Sequence, residues 1–176
     1  MIYVSAGHHP TKKGAEFDGF TEHDEALVWV DIILANLGDR GIKVPTGVLK
    51  DKVDFINRSE ATIAIEIHFN SAVDRQGNRV GQGSETLYYP GSKKGLLLAK
   101  SVQTILAEYF LPDRGVKEGW YKMDKTKGAD FFLAKTKCPS VILEPEFIHR
   151  KEIIQNKRGN VCKDLAEKLI EIESKF

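Results

Sequence analysis

The stretch from Thr62 to Phe69 limits the fold more than any other. It is β-branched and apolar on both alternating faces apart from Glu66 and His68, and a strand apolar on both faces needs cover on both. Such strands sit inside sheets that are layered between helices. The flanking chain supplies matching pieces. Ile2–Ala6 is a second short β-rich run, ended by Gly7. A helix should begin near Glu22, with Thr21 as its cap and Asp24 three residues on, as in a capping box. Its apolar positions Ala26, Leu27, Val30, Ile33, Leu34 and Leu37 recur on one face, and Gly38 and Gly41 end it. Ile42–Val44 reads as a strand, Asp51–Glu60 as a short helix and Glu85–Tyr89 as a further strand. Lys93–Phe110 is an amphipathic helix, with Leu98, Val102, Ile105, Leu106 and Tyr109 inward. Phe131–Ala134 and Val141–Leu143 are the last strand candidates, before a closing helix from about Val161 to Ser174. Strands alternating with helices of crossover length imply a three-layer α/β fold. The sheet should be twisted and mixed, mostly parallel, of about six strands. Residues 1–176 are expected to form one domain.

Composition narrows the partners. A formal net charge of +1 offers no case for nucleic acid, whose binders concentrate basic charge. The densest lysine group, Lys117, Lys122, Lys125 and Lys127, is interleaved with acids and reads as a solvated loop. No run approaches the ~20 apolar residues that cross a bilayer, and Ile2–Ala6 is too short and lacks the basic leader of a secretory signal. The expectation is a chain that stays in the cytoplasm until released. Cys138 and Cys162 match no zinc or redox spacing and read as buried small residues.

The chemistry gathers at the ends of the expected elements. His8 in GHHP and His68 in IEIHFN follow strands, Glu144 in VILEPEF ends one, and Glu22 opens a helix. Open α/β sheets bind ligands outside the carboxyl ends of their strands, so convergence on one edge is geometrically reasonable. Two imidazoles and a carboxylate can hold zinc and leave a position open for water. A further carboxylate outside the metal shell can take a proton from that water.

Each residue also has a plainer account. His8 and His9 are adjacent in a loop, and one of them at most faces a given metal. An acid in a helix's first turn, such as Glu22, already complements the macrodipole. His68 is harder to set aside, because a polar group ending an apolar strand is costly to bury unless it is bonded. Glu144, partly desolvated before Pro145, should have a raised pKa; the plainer account pairs it with Arg114 or Arg150. Glu146 rivals it, since strand alternation puts both on one face. Glu66 lies two residues before His68 and is placed to orient it from behind. The aromatics Tyr88, Tyr89, Trp120 and Tyr121 could stack on sugars or simply pack.

These residues resemble a known family, the zinc-dependent N-acetylmuramoyl-L-alanine amidases of the type-3 amidase family, found in bacterial autolysins and phage endolysins. Gly7-His8, Gly14-Ala15, Gly19 and Glu22 look like its opening metal motif. Ile67-His68-Phe69-Asn70-Ser71 looks like its second-histidine motif. Asp113-Arg114-Gly115-Val116-Lys117 resembles a segment ahead of the last strands, and Pro139 to Glu144 with Phe147 resembles the strand bearing a catalytic glutamate. The chain differs from the usual pattern at His9-Pro10, at Glu66 and at Pro145-Glu146. The resemblance implies a six-stranded sheet, zinc held by His8, Glu22 and His68, and Glu144 as general base. Asn70, Arg114, Glu66 and Glu146 are the candidates for supporting or substrate contacts. The implied substrate is peptidoglycan, cut between N-acetylmuramic acid and L-alanine of the stem peptide. A zinc carboxypeptidase is the alternative hydrolase, although its usual tight His-x-x-Glu pair is missing around His8 and His9. A catalytically silent wall-binding domain is the alternative outside enzymes.

Overall fold

The opening β-rich run forms β1 (Ile2–Ala6), buried throughout. In the computed structural model, which describes residues 1–119 and 131–176, a small hairpin follows, β2 (Glu16–Phe17) and β3 (Phe20–Thr21). Asp18 and Gly19 turn it at φ 50° and 73°, the left-handed backbone that an Asp-Gly turn adopts readily. Helix α1 (Glu22–Leu37) begins at once. The Thr21 side chain accepts from the Asp24 N–H, and Gly38 closes the helix at φ 55°.

Next come β4 (Gly41–Lys43), α2 (Leu49–Asn57), β5 (Ile63–Ile67), β6 (Ser84–Tyr88) and α3 (Lys93–Tyr109). The chain continues through β7 (Asp113–Glu118), α4 (Phe131–Lys135), β8 (Ser140–Glu144) and α5 (Lys151–Glu173). The sheet order is β4-β1-β5-β8-β6-β7. Its pairings are parallel except β6 against β8. The expected mixed, mostly parallel, six-stranded sheet is what forms.

Strand alternation divides the core between the two faces. Val4, Ile65 and Leu143 pack with α1, α3 and α5, while Tyr3, Ala64 and Ile142 pack with α2 and α4. Trp29 of α1 is fully buried and meets Phe69 edge-on at 5.5 Å between ring centroids. Truncating an interior residue such as Ile65 to Ala costs about 2–5 kcal/mol in sites of this kind.

Two expectations are corrected. Phe131–Ala134 is not a strand but α4, and the sixth strand is β7. A four-residue apolar run carries no period that separates helix from strand. β7 lies at the sheet edge and is only partly buried, so it needs no apolar alternation. The closing helix starts at Lys151 rather than near Val161. Its first ten residues are largely polar and include Gly159, which costs a helix about 1 kcal/mol; the fully buried Ile154 ties this turn to the core. Cys138 and Cys162 are unpaired thiols. Trp120 and Tyr121, with Lys122, Lys125 and Lys127, lie outside the described residues. No described helix is long and apolar enough to cross a membrane.

Candidate metal centre

Strands β1, β5 and β8 are neighbours running the same way, so their carboxyl ends finish side by side, with Ala6 opposite Ile67 and Ile67 opposite Leu143. The ladder runs on into the site: the Gly7 N–H donates to Ile67 O at 2.8 Å and the His68 N–H to Leu143 O at 2.9 Å. His8, His68 and Glu144 therefore share one edge. Glu22 reaches the same edge on the first turn of α1.

The donor atoms of His8, Glu22 and His68 lie within 4.8 Å of one another. Glu22 Oε1 is 2.8 Å from His8 Nε2 and 3.4 Å from His68 Nδ1. Two backbone groups fix that carboxylate: the Ala15 N–H donates to Oε2 at 2.7 Å and the Phe69 N–H to Oε1 at 3.1 Å. Burial pushes the Glu22 pKa up, but hydrogen bonds from His68 and His8 outweigh it and hold the group at about 2. Burial works against charge on His68 too, yet Glu22 and Glu66 raise its pKa well above the ordinary histidine value. The metal-free cluster thus draws positive charge to itself.

The residues present fit a divalent cation. Two imidazoles and one carboxylate are suitable donors for a first-row metal with a coordination position left open. The backbone makes room for them. A Cβ at Gly7 would stand 2.6 Å from His68 Nε2, and one at Gly14 would stand 2.5 Å from His8 Nε2 and 2.6 Å from Glu22 Oε2. Between the two adjacent histidines, His8 enters the cluster. His9 Nδ1 accepts from the Thr11 N–H at 3.1 Å and lies 2.9 Å from Thr11 Oγ1. His8 sits at φ 60°, which costs a non-glycine residue roughly 1–3 kcal/mol and persists where the surroundings impose it.

Glu144 ends β8 beside the cluster, and its Oε2 is sealed from solvent without a hydrogen-bond partner among the described residues. Burial raises its pKa to about 8, against the charges of His68 and Arg114 and with help from Glu22 and Glu85. Neither suggested arginine forms an ion pair with it: Arg114 Nη2 lies 3.0 Å from Glu85, and Arg150 Nε lies 3.3 Å from Glu146. Glu146 is 1% exposed and accepts from the Gly83 and Phe147 N–H groups, so it is engaged in loop structure. Asn70 donates to Glu85 Oε1 at 2.9 Å. Glu66 Oε1 lies 3.1 Å behind His68 Nε2. Burial would raise the Glu66 pKa, but His68, Lys52 and the Ser5 hydroxyl together lower it.

Three residues near the site escaped the sequence reading. Glu85, at the start of β6, takes Asn70, Arg114 and Lys117 together; because β6 runs antiparallel to β8, its first residues, not its last, reach this edge. His23 Nδ1 lies 2.6 Å from Gly7 O. Lys52 donates to the His8 carbonyl at 2.9 Å. Its spacing from Val53 and Ile56, which places it on the inner face of α2, was the available signal.

A cleft of about 510 Å³ opens on the His8, Glu66 and His68 side, lined also by Val48 and Leu49. Another of about 700 Å³ opens on the Glu144 side, lined by Asn70, Tyr88, Arg114 and Lys117.

Sheet order and edge cluster together define the class, an α/β protein with a candidate metal centre at the carboxyl ends of its strands. Over residues 2–170 the sequence matches the family model described as N-acetylmuramoyl-L-alanine amidase, and the chain belongs to that family. No curated relative matches the sequence. Among solved structures the chain is similar in fold to the N-acetylmuramoyl-L-alanine amidase from Clostridium difficile 630, with a TM-score of 0.75 at 22% identity over 99% of this chain and 94% of that one. The catalytic domain of the amidase CwlV from Bacillus (Paenibacillus) polymyxa var. colistinus gives a TM-score of 0.78 at 19% identity, over 97% and 96%. The catalytic domain of the CD27L endolysin targeting Clostridia difficile gives 0.70 at 22% identity, over 99% and 96%.

Proposed function

We propose that residues 1–176 act as a single zinc amidase catalytic domain, in which His8, Glu22 and His68 hold the metal and Glu144 is the general base. The observation that carries this reading is the Glu144 Oε2 atom, sealed from solvent with no hydrogen-bond partner among the described residues, beside a cluster of three donors. Zinc held there supplies Lewis acidity, lowering the pKa of a bound water toward about 7 and polarising a carbonyl. Glu144 takes the proton of the attacking water, for which a pKa near neutrality is suited. As the C–N bond breaks, it hands that proton to the departing nitrogen. The bond cut joins the lactyl carbonyl of N-acetylmuramic acid to the amine of L-alanine. The products are a lactyl carboxylate and a stem peptide with a free alanine amine. Clefts on both sides of the cluster suit a substrate with a glycan arm and a peptide arm.

Metal analysis of the purified protein, run beside product analysis on digested cell walls, tests the proposal. The expected result is one zinc per chain and new alanine amino termini without new reducing sugar ends. Release of single amino acids would indicate a carboxypeptidase instead. Sedimentation with walls and no solubilisation would indicate a binding domain.

A further inference from the structure

Lys52 is 2% exposed and sits among the core residues of α2, beside Val53 and Ile56. A buried ammonium is costly unless its three protons find acceptors. Here they find the Ala6 carbonyl at 2.5 Å, the His8 carbonyl at 2.9 Å and Glu66 Oε2 at 3.2 Å. Glu66 is itself 3% exposed. Its Oε2 also accepts from the Ser5 hydroxyl at 2.8 Å, while its Oε1 lies 3.1 Å from His68 Nε2. The other nitrogen of that ring, Nδ1, faces Glu22.

We propose that Lys52 and Glu66 are positioning residues that preset both imidazoles for the metal, an inference that rests on His8, Glu22 and His68 being the ligands. Glu66 acts through His68. By accepting the Nε2 proton it leaves the Nδ1 lone pair as the donor and fixes the ring plane, as carboxylates behind ligand histidines do. Lys52 acts through His8. Its ammonium draws the Ala6 and His8 carbonyls to one point and so holds the loop at the φ of 60° from which Nε2 reaches Glu22. One buried cation thereby ties the end of β1 to the end of β5. A purely stabilising role is the weaker account, because replacing a buried ion pair by apolar residues is often neutral or better for stability.

The test compares wild type, Glu66→Gln, Lys52→Met and Lys52→Met/Glu66→Leu. Zinc affinity is measured by chelator competition and the melting of the metal-free proteins by calorimetry. The nitrogen resonances of His68 are read in the zinc-loaded wild type. Expected are Nδ1 ligation with a protonated Nε2, and about 10- to 100-fold weaker zinc binding in the variants. The metal-free double variant should melt within about 4 °C of wild type. Wild-type affinity in the variants, Nε2 ligation, or affinity lost only in proportion to melting temperature would overturn the proposal. Glu66→Gln, nearly isosteric, decides if the Lys52 variants fail to fold. A wild type that binds no zinc, or a His68→Ala protein that binds it normally, defeats the ligand assignment and this inference with it. Unaffected variants beside a zinc-free His68→Ala protein defeat the positioning role alone.

Discussion

Glu144 combines two properties that ordinary surface acids lack: an oxygen that solvent does not reach and, among the described residues, no donor to satisfy it. Glu144→Ala should keep zinc and lose turnover by roughly 10²–10⁴-fold, the usual weight of a general base. His68→Ala should lose both. Metal analysis beside a turbidity assay on purified walls separates these outcomes, and an active Glu144 variant removes that residue from the mechanism. Stability gives a second check. In the metal-free protein the Glu144 pKa is raised from 4.5 to about 8, so the folded state keeps a proton that the unfolded chain has already released. Its contribution is fully present below pH 4.5 and drains away as pH rises toward about 8. Glu144→Gln should therefore gain on wild type across that window, by roughly 1–3 kcal/mol, and hold the gain above it. Urea unfolding at pH 5 and pH 9 measures this; an equal difference at both would show that burial does not raise the pKa. At this scale Glu144 was legible because its strand is so apolar. Lys52 was not, because a lysine in a short helix reads as solvated until its tertiary acceptors are known.

The hairpin and the helix it feeds deliver Glu22, and each can be perturbed separately. Thr21→Ala removes the cap that meets Asp24 N–H and should cost about 1 kcal/mol in denaturant unfolding. Gly14→Ala is a different kind of lesion. Its methyl group would stand 2.5 Å from the His8 ring at a backbone φ of 79°, so zinc affinity should fall by about tenfold or more, about 1.4 kcal/mol. Chelator competition reads this, and wild-type affinity would show that the loop yields freely. Elements with strong period or caps, namely β1, α1, β5 and α3, were readable from sequence within a few residues. The hairpin between β1 and α1 was not anticipated, although its Asp18-Gly19 signal was present. α4 was read as a strand and β7 was not read as an element, because an edge strand can be polar and a short apolar segment takes whichever shape its neighbours require.

As a whole the molecule keeps its donors apart in sequence and joins them only in the folded state, so metal should couple to global stability. Zinc at a hundred times its dissociation constant should stabilise the protein by about 2.7 kcal/mol. Calorimetry with and without chelator should show the rise in melting temperature, and His68→Ala should show none. A wild type whose melting ignores zinc would refute a site formed by the fold. The three-layer plan was legible because a strand apolar on both faces admits few alternatives; strand order was not, since pairing partners are chosen by packing. That order has a consequence for synthesis. β5 is flanked by β1, from the beginning of the chain, and by β8, from its last quarter. Pairings this remote in sequence form late. A ribosome that has passed Asn70 has already made every proposed metal ligand, but the glutamate and the strand that seats it are still to come. If Glu144 is the base, a chain that stops short of β8 carries the ligands without the group that would activate water.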